Sequence, residues 1–580
     1  MEDVTRSLRR PDAVWIVAPE VDPRLVDGLV TALRLPAAIC RVLAVRGFTD
    51  PEAAKRFLRP RLEHLGDPAL LADGERAADR IAAAVRAGET IMVHGDYDVD
   101  GICATALLTR WLRALGGNVV PFVPHRIEDG YDFSEGGLEA ARRAGATLIV
   151  TADCGTVAHA SIKAAAREGR DVVVTDHHTV GDLPSPAYAL VNPKRPDCGY
   201  PEKELCGTGL AYRLGELIGR ALGADPAELA CYLDLVALAT VADLVPLTGE
   251  NRVLVTYGLR RFPRTKVPGL AALLAVSGTD PAAVTSGALG FVVAPRINAA
   301  GRIGDSADAL RLLLTDDPDE AHRLAEALES INHDRRVEDR RTQDEAFEKL
   351  VSTYDPSSDF GVLLASEGWH PGVIGIVASR VVERIHRPVV MVALDGARGR
   401  GSARSVPGFH LYDALKVCSA HMERFGGHRQ AAGLDVRRDR VDALREAFNA
   451  EARSRLRGDD LRPALRPDLA LDPAEVDLDL LRWLAYLGPH GIGNPGPLFR
   501  TDGLVLDQAR EVGKGHLKAV LTRDRVRLDA IGFGVAERFA PDTVGVGKHD
   551  VLYRLERNEW QGRATPQAKL VDLRATEPDR

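Results

Sequence analysis

No stretch of about 18 apolar residues occurs in this chain of 580 residues, so no membrane-spanning helix is expected. The stretch from Met1 to Asp12 carries charges but no apolar core of the kind a secretory signal needs, so none is expected there. Cysteine is scarce and scattered: the seven stand at 40, 103, 154, 198, 206, 231 and 418, with no Cys-x-x-Cys pair. That pattern excludes a disulfide frame and a cysteine zinc site, and fits reduced thiols in the cytoplasm. Aromatic residues make up only 5% of the chain. Positive charge is not in excess either, the formal net charge being −8. A nucleic-acid-binding module is usually basic, and by that measure alone the chain is not one. Two features weaken this argument. A cluster of metal-binding acids contributes negative charge that bound cations offset. Arginine, which grips phosphate with a two-pronged fork, far outnumbers lysine.

What the chain has in plenty is length, enough for three or four domains. The expected fold class is α/β and multidomain. Residues 1–75 read as a helical lead-in broken by Pro51, Pro60 and Pro68. Over 76–305, short β-branched runs at 91–93, 119–123, 148–150 and 172–174 alternate with helical text, which predicts βαβ units and a parallel sheet. Residues 306–350 are charged and helical, and 320–349 are expected to form one long exposed connecting helix. A second α/β segment is expected over 351–455, with strands at 362–364 and 389–392. An Arg/Asp/Leu/Pro patch at 457–473 reads as a linker. Within 465–575, alternating runs at 503–506, 517–521 and 526–531 predict a small β-barrel.

The chemistry-bearing residues begin where apolar runs end, which is where parallel sheets place their ligands. The first motif is His94-Gly95-Asp96-Tyr97-Asp98-Val99-Asp100-Gly101. Residues two apart on extended backbone share a face, so its three carboxylates can converge. Converging carboxylates raise one another's pKa unless a cation neutralises them. Oxygen ligands suit Mg²⁺ or Mn²⁺, and an added histidine favours Mn²⁺. Three further motifs are Asp153 in Thr151-Ala152-Asp153-Cys154-Gly155, the triplet Asp176-His177-His178, and Asp243 within an apolar run over 235–246. Taken singly, an acid at a strand end is often only a helix cap. An acid inside an apolar run must be paired or hold a cation.

Together and in this order, Asp98-x-Asp100, Asp153, Asp176-His177-His178 and Asp243 resemble the four motifs of the DHH phosphoesterases. The resemblance implies two divalent metal ions, Mn²⁺ or Mg²⁺. One would be held by His94, Asp98 and Asp153, the other by Asp100, Asp153, His177 and Asp243. Asp176 would orient a neighbour and His178 would face the reacting phosphate, while Asp96 is an outer partner or a turn residue. The octet Gly426-Gly427-His428-Arg429-Gln430-Ala431-Ala432-Gly433 resembles the glycine-rich motif of the DHHA1 domain.

Longer stretches are similar to the RecJ-type exonucleases within this superfamily. They are 94–101, 126–131, 294–302, 401–410 and 491–495, and the barrel resembles that family's OB-fold. This implies a 5′→3′ exonuclease that hydrolyses single-stranded DNA to mononucleotides in repair and recombination. Carried over by motif, Arg126, Tyr131, Arg302, Ser402, Arg404 and His428 would contact DNA, with Arg126 holding a backbone phosphate near the metals and Tyr131 stacking on a base. Ser402 and Arg404 would take the 5′-terminal phosphate. The plainer alternatives are an interdomain salt bridge for Arg126 or Arg302, since surface arginines often pair, and a core position for Tyr131. The family's E-G-Y-G stands here as Asp129-Gly130-Tyr131-Asp132, a departure that bears on the local turn.

Two other readings remain: a phosphodiesterase of short oligonucleotides or cyclic dinucleotides, and a non-catalytic DNA-binding replication scaffold. The full set of ligand residues favours catalysis. The resemblance further implies single-stranded-DNA-binding protein and a RecQ-type helicase as partners. A monomer in the cytoplasm is expected, and, as the chain ends soon after the barrel, no extra C-terminal partner-binding domain is expected.

Overall fold

Strands built from the β-branched runs assemble into a five-stranded parallel sheet: β1 (Thr90–Gly95), β2 (Asn118–Phe122), β3 (Leu148–Ala152), β4 (Asp171–Thr175) and β5 (Ala189–Val191), in the order β2-β1-β3-β4-β5. The computed structural model describes residues 8, 10–17, 20–125 and 132–576. Helices α1 (Gly74–Ala87), α2 (Val99–Ala114), α3 (Glu135–Ala144), α4 (His159–Arg167), α5 (Gly207–Leu222) and α6 (Leu233–Ala242) surround this sheet. Both faces are buried, which is why its strands read as continuous apolar runs. Ile91, Val93, Val150 and Val173 pack with Ile102, Leu107 and Trp111 of α2 and Leu210 and Leu214 of α5. Met92, Ile149, Val172 and Val174 pack on the other face with Leu138 of α3 and Ile162 of α4.

The three-residue β5 was not anticipated from the sequence. The apolar run over 235–246 is mostly the buried helix α6, and Asp243 sits at its C-terminal cap. Further along lie a π-helical turn (Leu289–Val293), α7 (Ala294–Ile303), α8 (Ser306–Leu314) and α9 (Pro318–Thr353). The expectation of an exposed long helix needs correction, because α9 buries Asn332, Asp339, Thr342, Ala346 and Leu350 along its length.

Two units divide the chain. The parallel sheet belongs to Lys55–Asp334 with Tyr486–Gly496, and the remainder forms the other. In this second unit a mixed sheet of β6 (Val362–Glu367), β7 (Val389–Asp395), β8 (Arg398–Arg404), β9 (Arg424–Gly427) and β10 (Ala431–Arg437) runs in the order β9-β10-β8-β7-β6. Helix α10 (Ile374–Ile385) packs Val377 and Val381 with Leu364 and Met391 on one face. Helix α11 (Val441–Arg455) packs Leu444 and Phe448 with Leu363 and Val390 on the other. Five strands, β11 (Phe499–Val512), β12 (His516–Arg523), β13 (Val526–Gly532), β14 (His549–Trp560) and β15 (Arg563–Ala575), close into a barrel through the β11–β14 pairing.

The 457–473 patch is more than a tether. Ala464–Leu465 pairs with Val14–Trp15 and Leu469–Ala470 pairs with β11. Cysteines are all unpaired thiols, as expected. Among the described residues, no helix is long and apolar enough to cross a membrane.

Candidate metal centre

In the order β2-β1-β3-β4-β5 the direction of winding reverses between β1 and β3, the point at which parallel sheets place ligands, beyond the carboxyl ends of the strands. The sequence puts its acids at that point. Asp96, Asp98 and Asp100 follow β1, Asp153 follows β3, and Asp176, His177 and His178 follow β4. Asp243 arrives from the end of α6.

Three groups of donor atoms lie within 4.8 Å of one another: Asp96, Asp98 and Asp153; Asp100, His177 and Asp243; and Asp153, His177 and His178. His177 Nε2 is 3.1 Å from Asp153 Oδ1, 3.6 Å from Asp243 Oδ2 and 3.8 Å from Asp100 Oδ2. Asp153 is shared between two groups, as a bridging ligand would be. His94 is outside these groups. Its ring is boxed by Phe122 and Phe133, each with its centroid 5.2 Å away, and by Gly137, where a Cβ would come within 2.5 Å of Nε2.

The electrostatics of the cluster favour a positive charge among these groups. Burial, then Asp100 and Asp98, push Asp153 well above the usual carboxylate range. Burial and Asp98 do the same to Asp96. Burial and Asp100 raise Asp243 to about 9, and burial lowers His177. Asp153 Oδ1, Asp96 Oδ1 and both ring nitrogens of His177 are buried without a hydrogen-bond partner. Buried polar atoms rarely stay unsatisfied in a native fold. Carboxylate oxygens and imidazole nitrogens converging in this way fit divalent metal ions.

The surroundings fix these side chains. Asp98 caps α2, accepting from the N–H groups of Asp100 and Gly101. Asp100 accepts from Gly207 N–H at 2.6 Å and Thr208 N–H at 2.7 Å, so the positive end of α5 holds it. Gly207 is required there because a Cβ would come within 2.5 Å of the Asp153 Cβ. Asp153 itself adopts φ +68°, an uncommon conformation that aspartate tolerates. Burial alone would raise Asp176, but the hydrogen bond and charge of His178 outweigh it and hold its carboxyl below the usual range. The same pair, at 2.8 Å, raises His178 to about 9 against the effect of burial.

Several of these supports escaped the sequence reading. Fully buried Asn192 donates to Thr156 Oγ1 and to the His178 carbonyl, and accepts from Lys194 N–H. Thr156 N–H donates to Asp176. Asn298 Oδ1 accepts from Val99 N–H, and Gly301 lies where a Cβ would meet the Tyr97 carbonyl at 2.7 Å, so α7 is seated on the first motif. Only the Asn192-Pro193 step after a short apolar run offered any signal in the sequence.

Of the expected DNA contacts, Arg126 and Tyr131 lie outside the described residues. Arg302 follows Gly301 on α7. In the other unit, Ser402 and Arg404 meet on β8, where Arg404 Nη1 donates to Ser402 Oγ at 3.1 Å beside Gly375. His428 is exposed in the β9–β10 turn, its N–H donating to the Ala431 carbonyl.

Family comparisons agree with this architecture. Residues 90–240 match the DHH family N-terminal domain, 359–454 the DHHA1 domain and 467–572 the RecJ OB domain. The single-stranded-DNA-specific exonuclease RecJ of Dickeya dadantii is 38% identical over 99% of this chain and 100% of its own length. The chain belongs to the RecJ family. RecJ of Bacillus subtilis is 35% identical over 96% of the chain and 70% of its own length. A crystal structure of Thermus thermophilus RecJ in complex with Mn²⁺ superimposes with a TM-score of 0.84 at 34% identity, covering 98% of this chain and 80% of that one.

Proposed function

We propose that this chain is a single-stranded-DNA-specific exonuclease that hydrolyses phosphodiester bonds from the 5′ end, releasing mononucleotides, with two divalent metal ions. The observation that carries the reading is the convergence of Asp96, Asp98, Asp100, Asp153, His177 and Asp243 at the switch point of the sheet, with unsatisfied buried donor atoms among them. Relatives at 35–38% identity over nearly the whole chain carry the exonuclease name. Their substrate is what we infer for this protein.

Asp98 and Asp153, with His94 completing the set as the family resemblance implies, would hold one ion. Asp100, Asp153, His177 and Asp243 would hold the other. When bound, such ions make water acidic enough to serve as a nucleophile near neutral pH and neutralise charge on phosphoryl oxygens. The protein's own task is alignment. Asp176 fixes the His178 ring through Nδ1, and Asn192 fixes its carbonyl, so the imidazole stands rigidly beside the ligands where a phosphoryl group would lie. The α5 N-terminus holds Asp100 through two N–H groups, so that ligand pays no reorganisation when substrate binds.

Domain limits of 1–75, 76–305, 306–350, 351–455 and 465–575 accompany this reading. Arg126, Tyr131, Arg302 and His428 serve as further DNA contacts in it. A monomer working in the cytoplasm in repair and recombination, beside single-stranded-DNA-binding protein and a RecQ-type helicase, is the biological setting we infer.

Polarity is assigned to Ser402 and Arg404, whose hydroxyl and guanidinium form a compact pair suited to a terminal phosphate. On single-stranded DNA carrying either a 5′-phosphate or a 5′-hydroxyl, the wild-type protein should prefer the phosphate. Arg404→Ala should lose that preference while retaining hydrolysis, and an unchanged preference contradicts the assignment.

A further inference from the structure

Asp132 is the first described residue after the 126–131 stretch, and it stands where the resembled family motif has glycine. Its backbone keeps a glycine-like conformation, φ +75°, which aspartate and asparagine adopt more readily than most residues. The side chain gives this position something a glycine lacks. Asp132 Oδ1 accepts from the Gly155 N–H at 2.6 Å and from its neighbour Phe133 N–H at 2.9 Å.

Gly155 is the turn of the loop that presents Asp153. It sits at φ +106°, where a Cβ would meet Thr151 Oγ1 at 2.8 Å, so the loop has little room to shift on that side. From the other side Thr151 Oγ1 donates to the Cys154 carbonyl and Thr156 N–H donates to Asp176. Among the described residues, Asp132 is the acceptor that the 132–137 segment offers to the Gly155 N–H. The same segment contacts His94, through the Phe133 ring edge and through Gly137. Residues 132–137 therefore touch both the histidine and the loop carrying the shared aspartate of the metal centre.

We propose that Asp132 is a positioning residue that holds the 153–155 loop, through its carboxylate on the Gly155 N–H, so that Asp153 presents its oxygen to a divalent cation. The inference rests on the metal-site reading above. It concerns hydrogen-bond geometry and not charge, so it separates two substitutions. Asp132→Gly keeps the turn, since glycine adopts a positive φ freely, and removes only the acceptor. Asp132→Asn keeps both the turn and the Oδ1 acceptor.

The test is Mn²⁺ binding to the full-length protein, followed by electron paramagnetic resonance of free Mn²⁺, with thermal unfolding and steady-state hydrolysis of 5′-phosphorylated single-stranded DNA in parallel. Losing a residue that orients a metal ligand lowers affinity by about 10-fold or more. Asp132→Gly should show that loss with an unchanged melting temperature. Its kcat should fall at limiting Mn²⁺ and recover with excess, while KM for DNA stays put, and Asp132→Asn should recover most of the affinity. Wild-type affinity in Asp132→Gly overturns the inference, as does an Asp132→Asn variant as weak as Asp132→Gly. A wild-type protein that binds no Mn²⁺ overturns the metal-site reading itself, and this inference with it.

Discussion

Asn192 and Asp234 are both buried polar residues, and their surroundings give them opposite consequences. Asn192 has both side-chain polar atoms engaged, tying the end of β5 to the loops after β3 and β4. Asn192→Ala strands the His178 carbonyl and Thr156 hydroxyl in a buried site, which costs about 1–3 kcal/mol. A lower denaturant midpoint would show it, and an unchanged midpoint would contradict this role. Asp234, at the start of α6 and fully buried, is raised by burial from an ordinary 3.8 to about 6. Its fold therefore favours the protonated form. The stability it contributes is complete below the ordinary value and is lost as pH rises through about 6. Asp234→Asn, neutral at every pH, should be more stable than wild type at about pH 8 and equal to it near pH 4. A difference that does not vary with pH would contradict the burial argument. The candidate ligand residues were legible in the sequence because they stand at or just after apolar runs that had to be a strand or a buried helix. Asn192, Asp132 and Thr156 were not, because their roles depend on which loops the sheet order brings side by side.

At the scale of elements, the N-terminus of α5 links fold and site. Gly207 lets that helix approach close enough for two N–H groups to hold Asp100 while its Cα clears Asp153. Gly207→Ala places a methyl group within 2.7 Å of three Asp153 side-chain atoms, so helix or ligand must shift. Activity should fall by about 100-fold, the cost expected of a 1 Å misplacement at a reacting centre. Hydrolysis close to the wild-type rate would show that the contact is unimportant. Strands β1, β3 and β4 could be read from the sequence because both faces of the sheet are buried. Strand β8 could not, since Arg398, Arg400 and Arg404 alternate with glycine and small residues, and the first two of these arginines are exposed. Strands β14 and β15 were hidden in the same way by charged residues on the outside of the barrel, and only three of its five strands showed a clear alternating signal.

For the whole molecule, a net charge of −8 proved a poor guide. Five acids, Asp96, Asp98, Asp100, Asp153 and Asp243, are gathered in one cluster with donor atoms suited to cations, and the chain belongs to the RecJ family. The parallel-sheet core, the second α/β sheet and the terminal barrel were all foreseen as a class. The ordering of the 457–473 patch was not, because two-residue strands leave no periodic signal. The central claim is that the acids at the switch point make this chain a two-metal exonuclease. It is tested most directly with 5′-labelled single-stranded DNA, Mn²⁺, a chelator control and the Asp153→Asn variant, which keeps the left-handed backbone and loses the carboxylate. The account predicts early release of labelled mononucleotide by the wild-type protein with Mn²⁺, and none with chelator or in the variant. Equal release by Asp153→Asn, or by the wild type with chelator, would contradict it.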